Sequence, residues 1–390
     1  MLAATASLVL GACSARTDTN SGGDSGSGAA APSKPADAAD PKGDGKATCS
    51  GVSLAYAGTI NGGNAALGQN ILWGVKLAVQ QHNEANKGCQ VDLKQFDTEG
   101  SPDKAPGIVT QVISDPKIIG AVGLPFSGES KAAGPIFEQA GLVHVTPSAT
   151  NPDLATHGWK TFFRALGNDA VQGPAAAKFI TENLKAAKVC VIKDDSEYGK
   201  GLAKAVSDAL GSKLTCSDDV KTKQTDFAAV VGKVKSANPD AIFYSGYYQE
   251  AAPFATQLND AGVKAKFVGP DGVKDDEFVK GAGDASAAAY FTCPCVPADA
   301  FTDFFNSYKK LAGQEPGTYS PEGYDATTIL LKGIDKGIKD RAGLLDFVKN
   351  YDGQGLTKHF KWDDKGELAK TTVWTYKVDN GKIVKNVEIK

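Results

Sequence analysis

No apolar run in this chain approaches the roughly 20 residues that a spanning helix needs. Histidine is scarce, and His82, His144, His157 and His359 lie far apart. None of the cysteines shows zinc-site spacing. The patterns H-E-x-x-H, G-x-x-x-x-G-K-[ST] and G-x-S-x-G are all missing, so zincin, phosphate-loop and nucleophile-elbow chemistries have no carrier. Lys and Arg form no basic stripe and the formal net charge is -3, which argues against nucleic acid. We therefore expect no catalytic residues, no metal and no cofactor, and read the chain as something other than an enzyme.

What is present fits an ordinary globular protein: 42% hydrophobic and 22% charged residues in 390. That length is long for one core, so two lobes are expected. The N-terminus differs from the rest. Ala3 to Leu10 is a short apolar stretch, followed by Leu10-Gly11-Ala12-Cys13 and then a sharp rise in polarity. A short apolar segment ending in small residues reads as an export signal. The Leu-Gly-Ala-Cys run resembles the lipobox of bacterial lipoproteins, which implies cleavage before Cys13 and lipidation of its thiol. One departure is that Met1 to Leu10 contains no Lys or Arg. Residues 1–12 are thus expected as a lipoprotein signal peptide. Residues 13–48, rich in Ser, Gly, Ala, Asp and Pro, are expected as a disordered linker with too little apolar surface to offset ordering entropy.

From Cys49 onward, short apolar strands alternate with helical patterns. Val52 to Ala57 reads as a strand, Ala66 to Asn83 as a helix and Val91 to Phe96 as a strand. The rhythm repeats through Leu142 to Val145, then begins again after Arg164, with Ala175 to Lys185 as the first helix. Such alternation implies βαβ units and parallel sheets. The expected fold is α/β, with two doubly wound parallel-sheet lobes joined by a multi-strand hinge. Helical patterns return at 300–349, and Phe360 to Ile389 reads as short antiparallel strands around Lys365-Gly366 and Asn380-Gly381. The expected division is 49–168 plus 296–357 for one lobe and 169–295 plus 358–390 for the other.

Open α/β sheets bind ligands beyond the carboxyl ends of their strands. Four loops lie there: Gly123 to Ser130, Thr146 to Pro152, Asp194 to Gly199 and Val268 to Gly272. Ser127 has the place of a helix cap, where backbone N–H groups favour an anion. Asp271 is an acid among turn residues. Taken singly, each has a second, lesser reading: Ser127 as a plain cap, Thr150 as a turn former before Asn151-Pro152, Asp271 as a turn residue, and Tyr198 and Tyr247 as interface packing.

Six runs carry a further signal together: Thr-Pro-Ser-Ala-Thr-Asn-Pro at 146–152, Gln-Gly-Pro-Ala-Ala-Ala-Lys at 172–178, Tyr-Gly-Lys-Gly-Leu-Ala at 198–203, Tyr-Ser-Gly-Tyr-Tyr at 244–248, Gly-Pro-Asp-Gly at 269–272 and Lys-Trp-Asp-Asp-Lys-Gly at 361–366. In this order the chain resembles the branched-chain amino acid-binding proteins of ABC transporters, which have the periplasmic-binding fold type I. The resemblance runs from about Val52 to the C-terminus. It implies that Ser127, and Thr150 with the backbone around Ser148 and Ala149, hold a ligand carboxylate. Asp271 would meet the ligand ammonium, where the best-known members have Glu. Tyr198 and Tyr247 would cover the ligand from the second lobe. Leu67 falls where some members place an aromatic wall, and Phe126 and Tyr319 are candidate apolar walls. The implied protein is an extracytoplasmic, membrane-anchored monomer that hands an amino acid, with Leu, Ile and Val first, to an ABC permease. A ligand sensor of the same fold, or a binder of another amine-bearing solute, remains open on these residues.

Cys13 apart, six cysteines remain, and an even count after export suggests disulfides. Connectivity is not readable from the count. Placement favours Cys49–Cys89, before two strands expected to be neighbours. By the same logic it favours Cys190–Cys216, on two strands expected to be neighbours in the other sheet. Cys293–Cys295 is the leftover pair.

Overall fold

The protein is described by a computed structural model covering residues 34–389. The expected signal peptide and the lipidation site Cys13 lie outside the described residues. Among the described residues, no helix is long and apolar enough to cross a membrane.

The first lobe is built on β1 (Ser53–Gly58), β2 (Asp92–Asp97), β3 (Ile118–Gly123), β4 (Val143–Thr146) and β5 (Phe162–Arg164). These pair in parallel in the order β2-β1-β3-β4-β5. Both β1 and β3 are buried along their whole length, as central strands covered on both faces must be. The connecting helices are α1 (Ala65–Ala85), α2 (Ala105–Ser114) and α3 (Ser127–Ala140).

The second lobe starts with α4 (Asp169–Lys178) and continues through β6 (Val189–Lys193), α5 (Glu197–Leu210), β7 (Leu214–Asp219), α6 (Ala228–Ala237), β8 (Ala241–Ser245), α7 (Tyr248–Asp260), β9 (Lys266–Gly269), α8 (Asp276–Ala282) and β10 (Tyr290–Cys293). Helix α5 illustrates the local logic. Ser196 caps it, its Oγ accepting from the Gly199 N–H at 2.9 Å. Leu202, Val206 and Leu210 are buried, four residues apart on one face.

After β10 the chain returns to the first lobe for α9 (Thr302–Ala312), α10 (Ser320–Asp335), α11 (Arg341–Lys349) and a hairpin of β11 (Asp352–Gln354) and β12 (His359–Lys361). Then β13 (Val373–Asp379) and β14 (Lys382–Ile389) complete the second sheet. Its order is β14-β13-β10-β9-β8-β6-β7, with the last two pairings before the C-terminus antiparallel. The chain therefore passes between the lobes at 165–168, 294–301 and 369–372.

Two expectations need correction. Residues 358–368 were assigned to the second lobe, but they sit on the first. Lys358 Nζ donates to Ala165 O, Trp362 Nε1 to Arg164 O, and Arg164 N to Gly366 O. The tail's strand character was readable; which sheet each strand joins depends on long-range pairing. The linker is also not wholly disordered. Ala39 N donates to Gln354 O at 2.7 Å, Asn86 Nδ2 to Lys42 O at 3.0 Å, and Ala47 N to Asn86 Oδ1 at 3.0 Å. Pro41 and Ala47 are buried. The strap is held by backbone hydrogen bonds to one buried Asn, which composition does not reveal.

Among the described residues, three disulfides join Cys49 to Cys89, Cys190 to Cys216 and Cys293 to Cys295. Cys190 and Cys216 face each other in the register of β6 and β7.

Candidate functional site

The lobes are closed on each other. Asn151 Nδ2 donates to Glu197 O at 2.8 Å, Ala66 N to Tyr248 OH at 3.3 Å, and Asn70 Nδ2 to Asp275 Oδ2 at 3.1 Å. Lys131 pairs with Glu197 at the rim at 2.9 Å. Phe126 from the first lobe meets Tyr247 from the second with ring centroids 4.7 Å apart, and Tyr247 meets Tyr198 at 5.1 Å.

Asp271 is the centre of this interface and is fully buried. Its Oδ1 accepts from Gln172 Nε2 and from Tyr198 OH, both at 2.6 Å. Its Oδ2 accepts from Tyr319 OH at 2.5 Å. Burial pushes its carboxyl up from the ordinary range, while these hydroxyl and amide donors pull it back. Tyr319 was expected as an apolar wall. Its ring is buried, but its hydroxyl is a donor to Asp271 across the cleft, so its role is polar as well. It also holds φ at 70° at the start of α10, a backbone region that bulky residues rarely adopt.

The first-lobe side is made by the loops after β3 and β4. Ser127 is the first residue of α3 rather than its cap, which is Phe126. Its Oγ accepts from Asn151 N at 3.2 Å. The Phe126 N–H is met instead by Glu129 Oε2 at 3.1 Å. Burial raises Glu129 to about 7. The first N–H groups of α3 have no intrahelical acceptor and form the positive end of the helix. Ser148 and Ala149 are otherwise engaged. Both their N–H groups point at Thr146 Oγ1, at 3.4 and 3.0 Å, and Ser148 Oγ donates to Pro125 O at 2.8 Å. They shape the loop, and in this closed form their N–H groups are not free for an anion. The Thr150 hydroxyl is buried, with the Asp169 carboxyl as its neighbour. Leu67 is fully buried in the first turn of α1, next to the Ala66–Tyr248 contact.

Three residues that sequence reasoning did not single out complete the site. Gln172 holds Asp271. Arg164 is buried, donating to both carboxylate oxygens of Glu367 and to the carbonyls of Asn151 and Ala149; it fixes the loop that carries Thr150. Asp169, the first residue of α4, is fully buried, with its carboxyl against the Thr150 hydroxyl. Gln172 lay inside a run already noted, but its partner is 99 residues away. Among the described residues, no group of His, Cys, Asp and Glu is arranged to hold a metal ion.

A family profile described as periplasmic binding protein matches residues 51–382. The leucine-, isoleucine-, valine-, threonine- and alanine-binding protein of Pseudomonas aeruginosa is 32% identical over 81% of this chain and 87% of its own length. The Leu/Ile/Val-binding protein of Escherichia coli is 29% identical over 81% and 88%. Among solved structures, the branched-chain amino acid transporter substrate binding protein LivJ of Streptococcus pneumoniae, in complex with isoleucine, superposes with a TM-score of 0.80 at 27% identity. That match covers 86% of this chain and 99% of the other.

Proposed function

The chain belongs to the periplasmic binding protein family, and on that premise we propose that it captures a free amino acid between its lobes, Leu, Ile and Val foremost, and delivers it to an ABC permease. The observation that carries this reading is the opposed polarity of the two cleft faces. The first lobe presents the N-terminal end of α3 with the hydroxyls of Ser127 and Thr150, suited to a carboxylate. The second presents a buried acid, Asp271, suited to an ammonium. A zwitterion leaving water needs both charges met. Phe126, Tyr198 and Tyr247 supply apolar surface for a side chain without a third charge. Ligand contacts from both lobes exist only in the closed form, so binding draws the equilibrium toward closure. The names of the relatives, with the isoleucine complex, favour the branched-chain amino acids.

We assign the protein to the extracytoplasmic face of the membrane, held by a lipid on Cys13; Cys13→Ala should then leave the membrane fraction. Calorimetry with the twenty amino acids tests the ligand class. Leucine, isoleucine or valine should bind best, and Asp271→Asn should weaken that binding by roughly 100- to 1,000-fold, because a buried ammonium loses its charged partner. A wild-type protein that binds no amino acid, or an Asp271→Asn variant with unchanged affinity, overturns the reading.

A further inference from the structure

Cys293-Pro294-Cys295 is a motif that amino acid capture leaves unused. Its link joins residues 2 apart, against 40 and 26 for the other two described disulfides. So short a loop takes the least entropy from the unfolded chain, so this link staples the fold least. Its place in the fold gives it another task. Cys293 ends β10, and Cys295 stands in the crossing that follows. The segment is tied to both lobes. On the second-lobe side, Thr292 O accepts from Gln172 Nε2 at 3.0 Å, the same nitrogen that holds Asp271. Cys295 O accepts from Tyr376 OH at 2.9 Å. On the first-lobe side, Val296 N donates to Glu322 Oε1 at 3.0 Å. Pro294 lies where the three crossings meet: a Cβ on Gly167 would lie 3.2 Å from Cβ of Pro294 and 2.9 Å from Oγ1 of Thr371. Both cysteines are fully buried there.

From this placement we infer that Cys293–Cys295 is a redox-sensitive clip on the hinge, and that its reduction weakens ligand binding. The inference rests on the amino acid reading and adds a control to it. Pro294 already has its φ fixed, and the link holds much of the freedom that remains. With the link made, closure orders few further dihedrals of this crossing. With the link broken, the segment gains freedom when the lobes part, and closure must order it again. Reduction therefore favours the open form, in which ligand lacks the contacts of one lobe. The chemistry is exchange with a dithiol. One thiolate of the dithiol attacks a sulfur of the link and releases the other cysteine. Its second thiolate then attacks the mixed disulfide and releases the first. Two electrons and two protons pass to the protein, which ends with two thiols, and the dithiol ends as a disulfide. Binding and reduction are reciprocal: the factor by which reduction weakens leucine is the factor by which leucine opposes reduction.

The test uses the full chain with dithiothreitol as the dithiol. Leucine affinity of the wild type is measured first. Buffers of reduced and oxidised dithiothreitol then set the redox equilibrium, with and without saturating leucine. Differential alkylation and mass spectrometry read each cysteine pair separately. Leucine should shift the Cys293–Cys295 equilibrium roughly 10-fold toward the disulfide, the order set by freeing the backbone of about one residue. For a two-electron couple that is about 30 mV. Cys49–Cys89 should not move. Cys293→Ser/Cys295→Ser, which copies the reduced state, should bind leucine, isoleucine and valine more weakly by one common factor of roughly 10, because hinge freedom is blind to the ligand side chain. A Cys293–Cys295 equilibrium that leucine does not move overturns the inference. A folded double-serine variant with wild-type affinity overturns it as well. The equilibrium is read on wild-type protein, so a variant that fails to fold leaves that arm decisive. A wild type that binds leucine without the shift sinks the clip alone. A wild type that binds no amino acid sinks the amino acid reading and the clip with it.

Discussion

Asp194 shows how a single residue makes stability depend on pH. Its Oδ1 accepts from the N–H and hydroxyl of Ser196, ahead of α5, while its Oδ2 is buried without a partner among the described residues. Burial is the main cause that lifts its carboxyl from 3.8 to about 7, with Glu250 and Asp195 adding repulsion. The folded form thus prefers the proton. Its stabilising contribution is complete below the unfolded value near 3.8 and is lost as pH rises through about 7. Asp194→Asn keeps the acceptor for Ser196 and removes the ionisation. The variant should match wild type near pH 4 and gain on it up to pH 8, where the difference approaches ~4 kcal/mol. Thermal melts of both proteins across that range check this, and a constant difference would refute it. At this scale the sequence was informative about chemistry but not about pairing. Asp271 and Tyr198 were legible as residues beyond strand ends. That Tyr198 holds Asp271, and that Asp169 stands beside Thr150, depends on contacts that only the folded chain makes.

Among the described elements, β7 stands at the edge of the second sheet and pairs with β6 alone. The Cys190–Cys216 link, spanning 26 residues, secures that edge. A cross-link of this span should contribute about 2–4 kcal/mol, mostly by restricting the unfolded chain. The double variant Cys190→Ala/Cys216→Ala should lose that amount in denaturant unfolding while leaving leucine affinity within about threefold, since neither cysteine touches the cleft. Most elements could be read from apolar periodicity, as with β1, β3 and α5. The clearest miss is α4, expected to start at Ala175 but starting at Asp169. Gly173-Pro174 reads as a helix breaker. Packing overrides it: a Cβ on Gly173 would lie 2.5 Å from the Cβ of Ala205, so the bare glycine lets α4 press against α5. A tertiary contact thus holds a helix that local propensity would have ended. That shift hid Asp169, which appeared to lie in a loop.

For the whole molecule, closure is the functional motion, and Gly201 sits on its path. A Cβ there would lie 2.8 Å from Nδ2 of Asn151, which comes from the opposite lobe. Gly201→Val should hinder closure without disturbing either lobe's core. Leucine affinity should drop by roughly 10-fold or more, while the ligand-free melting temperature changes little. Scattering with saturating leucine should show a larger radius for the variant than for wild type; identical radii and affinities would show that Gly201 does not lie on the path. The two-lobe plan was legible because two runs of βα units are visible in the sequence. The final crossing was misplaced because Arg164, Trp362 and Gly366 join across about 200 residues. The strap at 38–47 has a mechanical consequence. Through Asn86 and Gln354 it is fastened to the first lobe only, so any pull from upstream of Lys34 enters through that lobe. The first lobe is then the post and the second the gate: with the chain held from its N-terminal end, opening swings Asp271 and Tyr198 while Ser127 and Thr150 keep still.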